Sequence, residues 1–578
     1  MEVGPDLLGT DRLELVAGSR FLNELLAQGT SGEMNMRAKI SLTLMALGLL
    51  ALCVVPAQAK IDKAAQARNW AVCERLLKDT KADVPSQLDA VKAMSGLLDY
   101  EHAIKLLAYW QECDKAGIVE KDAKGNPKKG DKEPRPKEAY KIAMQILTLV
   151  KNMGEPEEAL KFKADITNRK QWPLRVRMAM LDAIAGNSDH EESIKYVLSL
   201  AREGTDTDMR VLAFTALLPH TQREGVFDLA LNSLNDKSWR VRDVAIDLVV
   251  ECASMDKDRA ILALINRLSV EEGKLRLNLS KALKKLTNQD LGTDADAWID
   301  WYKEAKRAEQ GLPPKKGGDK GATRARRIFG ADTFSDRYIF VIDASVSMTE
   351  KIPPEELEQL KKTLTKDPND PDKRRPLDWS KINCKLDLAR EEMIRSLEVL
   401  DPKQTHFTII SFADDMATWS DELKPCDKAN VEDAAKWLRG LKGARKTNVG
   451  GALDAAFDLS ERLAGIDPEK LKKKEKGVVT GKHPDEFVPD TIFFYSDGYS
   501  TTGKWGGSSD ELKKMANGGD VAAMYRSIMT DFLKEVADRN RVARITINTV
   551  GVGRQDGWFL GKLAKDHGGN YLPLAVVK

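Results

Sequence analysis

The chain has 578 residues, too many for one hydrophobic core at roughly 100 to 200 residues per domain, so three or four units are expected. Lys and Arg number 91 against 89 Asp and Glu, a formal charge of +2, which gives no global attraction to nucleic acid or to an anionic membrane. Charged residues make up 31% and aromatics 6%, a balance that argues against a polytopic membrane protein and suits many exposed helix faces.

Near the start, Met34-Asn-Met-Arg-Ala-Lys39 is a short basic segment, Ile40 to Val55 an apolar run, and Pro56-Ala57-Gln58-Ala59 ends on small residues. These are the three parts of a secretory signal peptide over 34–59, with cleavage after Ala59. The rival reading, a membrane anchor, needs about 20 apolar residues, so no stable membrane insertion is expected once the segment is cleaved. A signal peptide normally opens a chain, so the native start is expected at Met34 or Met36, with 1–33 as a non-native extension. Export implies the periplasm, the medium or the cell surface. Leu52 is too large before Cys53 for a lipoprotein-type cleavage site. Cleavage leaves Cys73, Cys113, Cys252, Cys384 and Cys426, an odd set in which at least one thiol stays free unless it pairs between chains. Their pairing is open, no Cys-x-x-Cys supports zinc or redox chemistry, and Cys73 and Cys252 read as small buried side chains.

Residues 60–170 read as helical, as in Ala139, Ile142, Ala143, Ile146 and Leu147, with a polar break over Asp114 to Lys137. Over 171–304 the pattern repeats. Leu174-Arg-Val-Arg, Met209-Arg-Val-Leu, Trp239-Arg-Val-Arg and Leu275-Arg-Leu-Asn each open an apolar helix, and Arg175, Arg210, Arg240 and Arg276 recur roughly every 30 to 36 residues. That period predicts an α-solenoid, whose default use is interaction. The segments resemble HEAT-type repeats, although their spacing is irregular and shorter than the usual one. Residues 305–332, with Gly-Leu-Pro-Pro-Lys-Lys-Gly-Gly, read as a linker.

From 333 to 578 strands and helices alternate. Tyr338 to Ile342, Phe407 to Phe412, Thr491 to Tyr495 and Ile545 to Val550 are near-continuous apolar runs, which strands buried on both faces require. Amphipathic helices are expected over Leu386 to Leu400, Val431 to Leu441, Gly451 to Leu463 and Val521 to Asp538. The alternation predicts an α/β, doubly wound, mostly parallel sheet, whose ligands sit outside the carboxyl ends of its strands. At those ends stand Asp343-Ala-Ser345-Val-Ser347 and Ser496-Asp497-Gly498, with Lys446-Thr447-Asn448 ahead of a helix. Two carboxylates and three hydroxyls, all oxygen, suit a hard cation, Mg²⁺ first, with Mn²⁺ or Ca²⁺ as the other candidates. Taken singly, each motif also reads as an ordinary turn; only their joint placement points to a metal. Asp414 and Asp415 read as solvated acids.

Asp343-x-Ser345-x-Ser347, Thr447-Asn448 and Ser496-Asp497-Gly498, with the closing Asn548-Thr-Val-Gly-Val-Gly553 and Gly568-Gly-Asn-Tyr571, resemble von Willebrand factor A domains and their metal-ion-dependent adhesion site. The resemblance implies that Ser345 and Ser347 bind the metal directly, Thr447 directly or through water, and Asp343 and Asp497 largely through water. It also implies a protein partner that supplies a carboxylate to the metal. The chain departs from the family in a long stretch between Met348 and Lys385, including Lys366 to Pro376, and a second over Lys470 to Pro489, which either shape partner choice or are decoration.

The expected function is therefore non-enzymatic, metal-dependent protein binding by an exported, bacterial-type protein. His-Glu-x-x-His and Gly-x-Ser-x-Gly are absent, and Gly477-Val-Val-Thr-Gly-Lys482-His483 fails as a phosphate loop. The alternatives are a non-catalytic subunit of an ATPase or chelatase assembly, against which the signal peptide counts, and a metal-dependent hydrolase, for which no base is marked. Partner identity, the bound metal, oligomeric state and the role of 60–170 stay open.

Overall fold

The computed structural model describes residues 60–115, 136–187, 189–202, 206–310, 326–328, 331–364, 374–464, 484–553 and 555–574. The expected extension and signal peptide lie outside these residues, as do 116–135, 311–325 and much of the two inserted stretches.

From Lys63–Lys78 to Ala295–Glu309 the described chain is helical with short turns. Side-chain caps set several starts: Asp62 accepts the N–H groups of Ala64 and Ala65, and Ser238 and Asp256 accept those of Val241 and Arg259. One buried apolar cluster takes in residues from Trp70 to Trp298, with Val488 and Val542, so the described part of 60–170 shares its core with the helices that follow. Helices Leu174–Ala185, Thr207–Ala216, Trp239–Glu251 and Leu275–Thr287 carry the four recurring motifs. Among the described residues Cys73, Cys113, Cys252, Cys384 and Cys426 form no disulfide, and Cys73 and Cys252 are fully buried.

The repeated arginines have a physical role that periodicity did not show. Arg210 reaches Asp236 at 2.7 Å, in the turn ahead of the next repeat helix, and Arg240 reaches back to Asp208 at 2.8 Å. Their neighbours do the same, Arg177 to Asp206 at 3.4 Å and Arg242 to Glu271 at 2.9 Å. These helices are thus tied to one another by charge-assisted bonds as well as by apolar packing.

The region expected as a linker over 305–332 is narrower than that. The last repeat-region helix runs on to Glu309, and β1 (Arg326–Ile328) pairs antiparallel with β2 (Ala331–Thr333). Nor is the helical region a detached arm: it packs on the C-terminal domain through largely buried ion pairs. Arg544 bonds Asp243 at 2.9 Å and Asp247 at 2.5 Å, Arg541 grips Asp182 with both nitrogens at 2.7 Å, and Arg175 meets Glu535 at 3.0 Å. At the centre, Arg240 also bonds Asp485 at 2.7 Å, while the Trp239 indole donates to the Asp485 carbonyl.

The C-terminal domain holds β3 (Arg337–Asp343), β4 (His406–Phe412), β5 (Met416–Thr418), β6 (Lys424–Pro425), β7 (Thr491–Ser496), β8 (Thr546–Val552) and β9 (Gly568–Leu574). Their order is β5-β4-β3-β7-β8-β9, with β6 also on β4. Pairs β3–β4, β3–β7, β7–β8 and β8–β9 are parallel, and β5 and β6 run antiparallel to β4. Helices Lys385–Leu397 and Lys428–Gly440 cover one face; Val449–Ala464, Val521–Ala543 and Gly557–Asp566 cover the other. With helices on both faces, Tyr338 to Asp343 and Thr491 to Ser496 are buried without interruption.

Candidate functional site

Asp343 is the last residue of β3, so it stands at the carboxyl edge of the sheet beside the end of β7. Its carboxylate is fully buried and oriented from two sides: the Ser345 amide donates to Oδ1 at 2.8 Å and the Ser496 hydroxyl to Oδ2 at 2.7 Å. The chain then turns through a short 3₁₀ segment, Val346–Thr349, which sets the Ser345 and Ser347 hydroxyl oxygens 3.0 Å apart. Ala344 donates to Phe412 at the end of β4, and Ala444 donates to the Ala344 carbonyl, which fastens the serine loop to its neighbours.

Beyond β7 the backbone reverses at Gly498, whose φ of +83° favours glycine. This turn lifts Asp497 over the serines, and the Ser347 hydroxyl bonds its carboxylate. The Gly498 amide donates to Ser496 Oγ at 2.8 Å, and Asp556, on the loop after β8, donates its amide to the Asp497 carbonyl. Thr447 is buried on the loop before helix Val449–Ala464. Its amide donates to Thr501 Oγ1 at 2.9 Å, and the Thr501 amide donates back to the Thr447 carbonyl at 2.8 Å. Asp343, Ser345, Ser347 and Asp497 therefore meet at one edge, with Thr447 bound to the same loop system.

The electrostatics of this edge are those of carboxylates short of positive charge. Burial, and then the neighbouring Asp497, push the Asp343 carboxyl up to about 7. Burial likewise raises Asp497, against the Ser347 hydrogen bond and the nearby Lys385 ammonium. One Asp497 oxygen, Oδ1, is buried with no hydrogen-bond partner. An orphaned carboxylate oxygen beside two hydroxyls and a second carboxylate fits a hard divalent cation, which favours oxygen ligands and the ionised acids. Among the described residues no group of three or more His, Cys, Asp or Glu side chains could hold a metal, so any ion at this edge would rely on hydroxyl oxygens.

Three contributors escaped the sequence. Thr501 holds Thr447, and Asp414, exposed as expected, accepts the Lys446 amide and so fixes the turn before Thr447. Lys385, at the start of helix Lys385–Leu397, lies over Gly553 and bonds Glu350 at 2.7 Å beside Asp497. The near-invitation to see Thr501 was its place four residues past Asp497; nothing in the sequence marked Lys385.

No protein-family model matches this chain. Over 190 residues it is 24% identical to inter-alpha-trypsin inhibitor heavy chain H4 of Bos taurus, covering 28% of this chain and 19% of that protein. Over 83 residues it is 28% identical to human von Willebrand factor A domain-containing protein 3B, covering 14% of this chain and 6% of that one. This protein carries a von Willebrand factor A-type domain. The match thus spans under a fifth of the length of either relative. Among solved structures, BatB from Bacteroides thetaiotaomicron aligns at 15% identity and a TM-score of 0.23, covering 41% of this chain and 88% of that one. The D319A mutant of the PilB minor pilin from Streptococcus sanguinis aligns at 12% and 0.23, covering 41% and 56%.

The A-type domain is braced by the helical region close to the candidate site. Trp505, on the loop that leaves Asp497, is fully buried between Tyr140, 4.4 Å away edge-on, and Phe532. It lies flat on Gly450, where an added Cβ would stand 2.6 Å from the indole Cδ1. Gly450→Ala is therefore expected to destabilise the chain by about 1–3 kcal/mol through overpacking, read as a lower midpoint in thermal unfolding.

Proposed function

We propose that the A-type domain binds a protein partner through a divalent cation, Mg²⁺ before Mn²⁺ or Ca²⁺, held at the carboxyl edge of the sheet. The observation that carries this reading is the buried, unpartnered Asp497 Oδ1 next to Asp343 and the paired Ser345 and Ser347 hydroxyls. Ser345, Ser347 and Thr447 would hold the ion, with Asp343 and Asp497 balancing its charge. A bound cation supplies a Lewis-acid position on which an acidic side chain of the partner completes the coordination.

The surroundings suit a protein surface. Val346 in the 3₁₀ segment, Met416 at the start of β5, Tyr499 on the loop after β7 and Trp558 at the start of helix Gly557–Asp566 are large apolar side chains left exposed, and the exposed Lys442, Arg445 and Lys446 adjoin Thr447. Exposed apolar groups rimmed by polar ones mark interaction surfaces, and basic neighbours favour an acidic partner. In this reading the HEAT-like helices act as a docked platform, and the protein works outside the cytoplasm, as the segment 34–59 implies. Among the described residues no helix is long and apolar enough to cross a membrane.

Calorimetric titration of Mg²⁺ into the full chain tests the proposal. Saturable one-site binding is expected, lost in Asp343→Ala and in the Ser345→Ala, Ser347→Ala double variant. Wild-type binding that survives in both variants would place the ion elsewhere and overturn it.

A further inference from the structure

The loop that follows Asp497 is held from two sides. Toward the candidate site, the Thr501 and Thr502 amides donate to the Thr447 carbonyl at 2.8 and 3.2 Å, and Thr501 Oγ1 accepts the Thr447 amide. Gly503, at a φ of +80°, is approached so closely by Asn448 that a Cβ has no room, and Trp505 covers Gly450. The Tyr525 hydroxyl accepts the Ser500 amide and donates to the Gly498 carbonyl. Thr447 itself stands on a loop, so these bonds help to set its position.

Toward the helical region the same loop carries Lys504, whose side chain is only 9% exposed. Its ammonium bonds Asp114 at 3.0 Å, the last residue of helix Tyr100–Asp114, and Glu535 at 3.2 Å, on helix Val521–Ala543. Arg175 meets the same two carboxylates at 3.1 and 3.0 Å, which closes a ring of two cations and two anions. Beside it Tyr140 packs on Trp505, and Lys137 donates to the Gly506 carbonyl. A buried charge depends on its partners, because removing one leaves the other uncompensated. Asp114, Lys137, Tyr140 and Arg175 all belong to the helical region, so this end of the loop is set by residues outside the A-type domain.

We propose, resting on the metal reading above, that Lys504 is a positioning residue of the cation site: the helical region fixes the loop through the Asp114–Lys504 ion pair, and the loop fixes Thr447 as an oxygen ligand. The docked helices then have a task beyond support. Coupling of this kind is reciprocal, so an ion that binds the ordered Thr447 also strengthens the hold of the helices on the loop.

The test is calorimetric titration of Mg²⁺ into the full chain. Affinity is expected to fall about fivefold or more in Lys504→Met and in Asp114→Asn. It is expected to stay within about twofold of wild type in Asp182→Asn, which weakens the same interface at the Arg541 ion pair instead of at the loop. On a Thr501→Val background, Asp114→Asn is expected to cost less than about twofold more, because the two act along one path. Asp114 is partly exposed and its amide keeps the side chain's shape, so Asp114→Asn carries the test should Lys504→Met not fold, which circular dichroism checks. Wild-type affinity in the folded Lys504 and Asp114 variants, an equal loss in Asp182→Asn, or a full additional loss on the Thr501→Val background each overturns the proposal and leaves the metal reading standing. No saturable Mg²⁺ binding in wild type overturns both, so the two failures are distinguishable.

Discussion

In the presence of EDTA, the folding stability of the chain falls as pH rises from about 4 to 7, and Asp343→Asn removes most of that fall. The sign follows from the carboxyl's environment: Asp343 has a usual value of 3.8 and sits at about 7 in the folded chain, chiefly through burial. Between those values the native state holds a proton that the unfolded state has released, so raising the pH favours unfolding. A shift of this size is worth at most ~4 kcal/mol, and the Asp497 carboxylate shares in it. Saturating Mg²⁺ is expected to flatten or reverse the slope, because a cation binds the ionised acids. Urea unfolding of wild type and Asp343→Asn across this range, with EDTA and with Mg²⁺, reads all three effects. Parallel slopes for the two proteins in EDTA would contradict the account of Asp343.

Arg240→Met is expected to destabilise the chain by about 3–5 kcal/mol, the cost of leaving buried carboxylates without their cation. The guanidinium is almost fully buried and bonds Asp208, from helix Thr207–Ala216, and Asp485, from the A-type domain. Asp485 is itself 1% exposed. The second variant separates loss of a charge from loss of packing: Arg240→Met with Asp485→Leu is expected to recover a large part of the stability, since an apolar pair replaces an ion pair at little cost. Denaturant midpoints of the two variants decide it. A double variant no more stable than Arg240→Met would show that Arg240 acts through Asp208 and repeat packing, not through the docking of the two regions.

The strands of the A-type domain were legible because both faces of the sheet are covered, and burial on both faces writes an apolar run that needs no partner to be recognised. Tyr338 to Ile342 and Thr491 to Tyr495 were bounded to within a residue or two of β3 and β7. Helix ends were less so, as the expected Val521 to Asp538 runs to Ala543, where Arg544 takes a left-handed conformation. The helices at Arg175, Arg210, Arg240 and Arg276 were legible in the sequence, but not what the arginines hold. Asp485 and Glu535 are hundreds of residues away in the chain, and periodicity carries no information on such partners. The same holds at the carboxyl edge of the sheet. Asp343, Ser345 and Ser347 are neighbours in sequence and could be read as a unit, whereas Lys385 reaches Asp497 only through the packing of a helix start across Gly553.

The central claim, a divalent cation at the carboxyl edge of the sheet, is tested most directly by crystals of the full chain grown with Mn²⁺ and measured for anomalous scattering. The account predicts a single strong peak within coordination distance of the Ser345 and Ser347 hydroxyls, close to the Asp497 carboxylate. A Mn²⁺ peak elsewhere, or none here at saturating Mn²⁺ with the Asp343, Ser345 and Asp497 side chains well ordered, would contradict it.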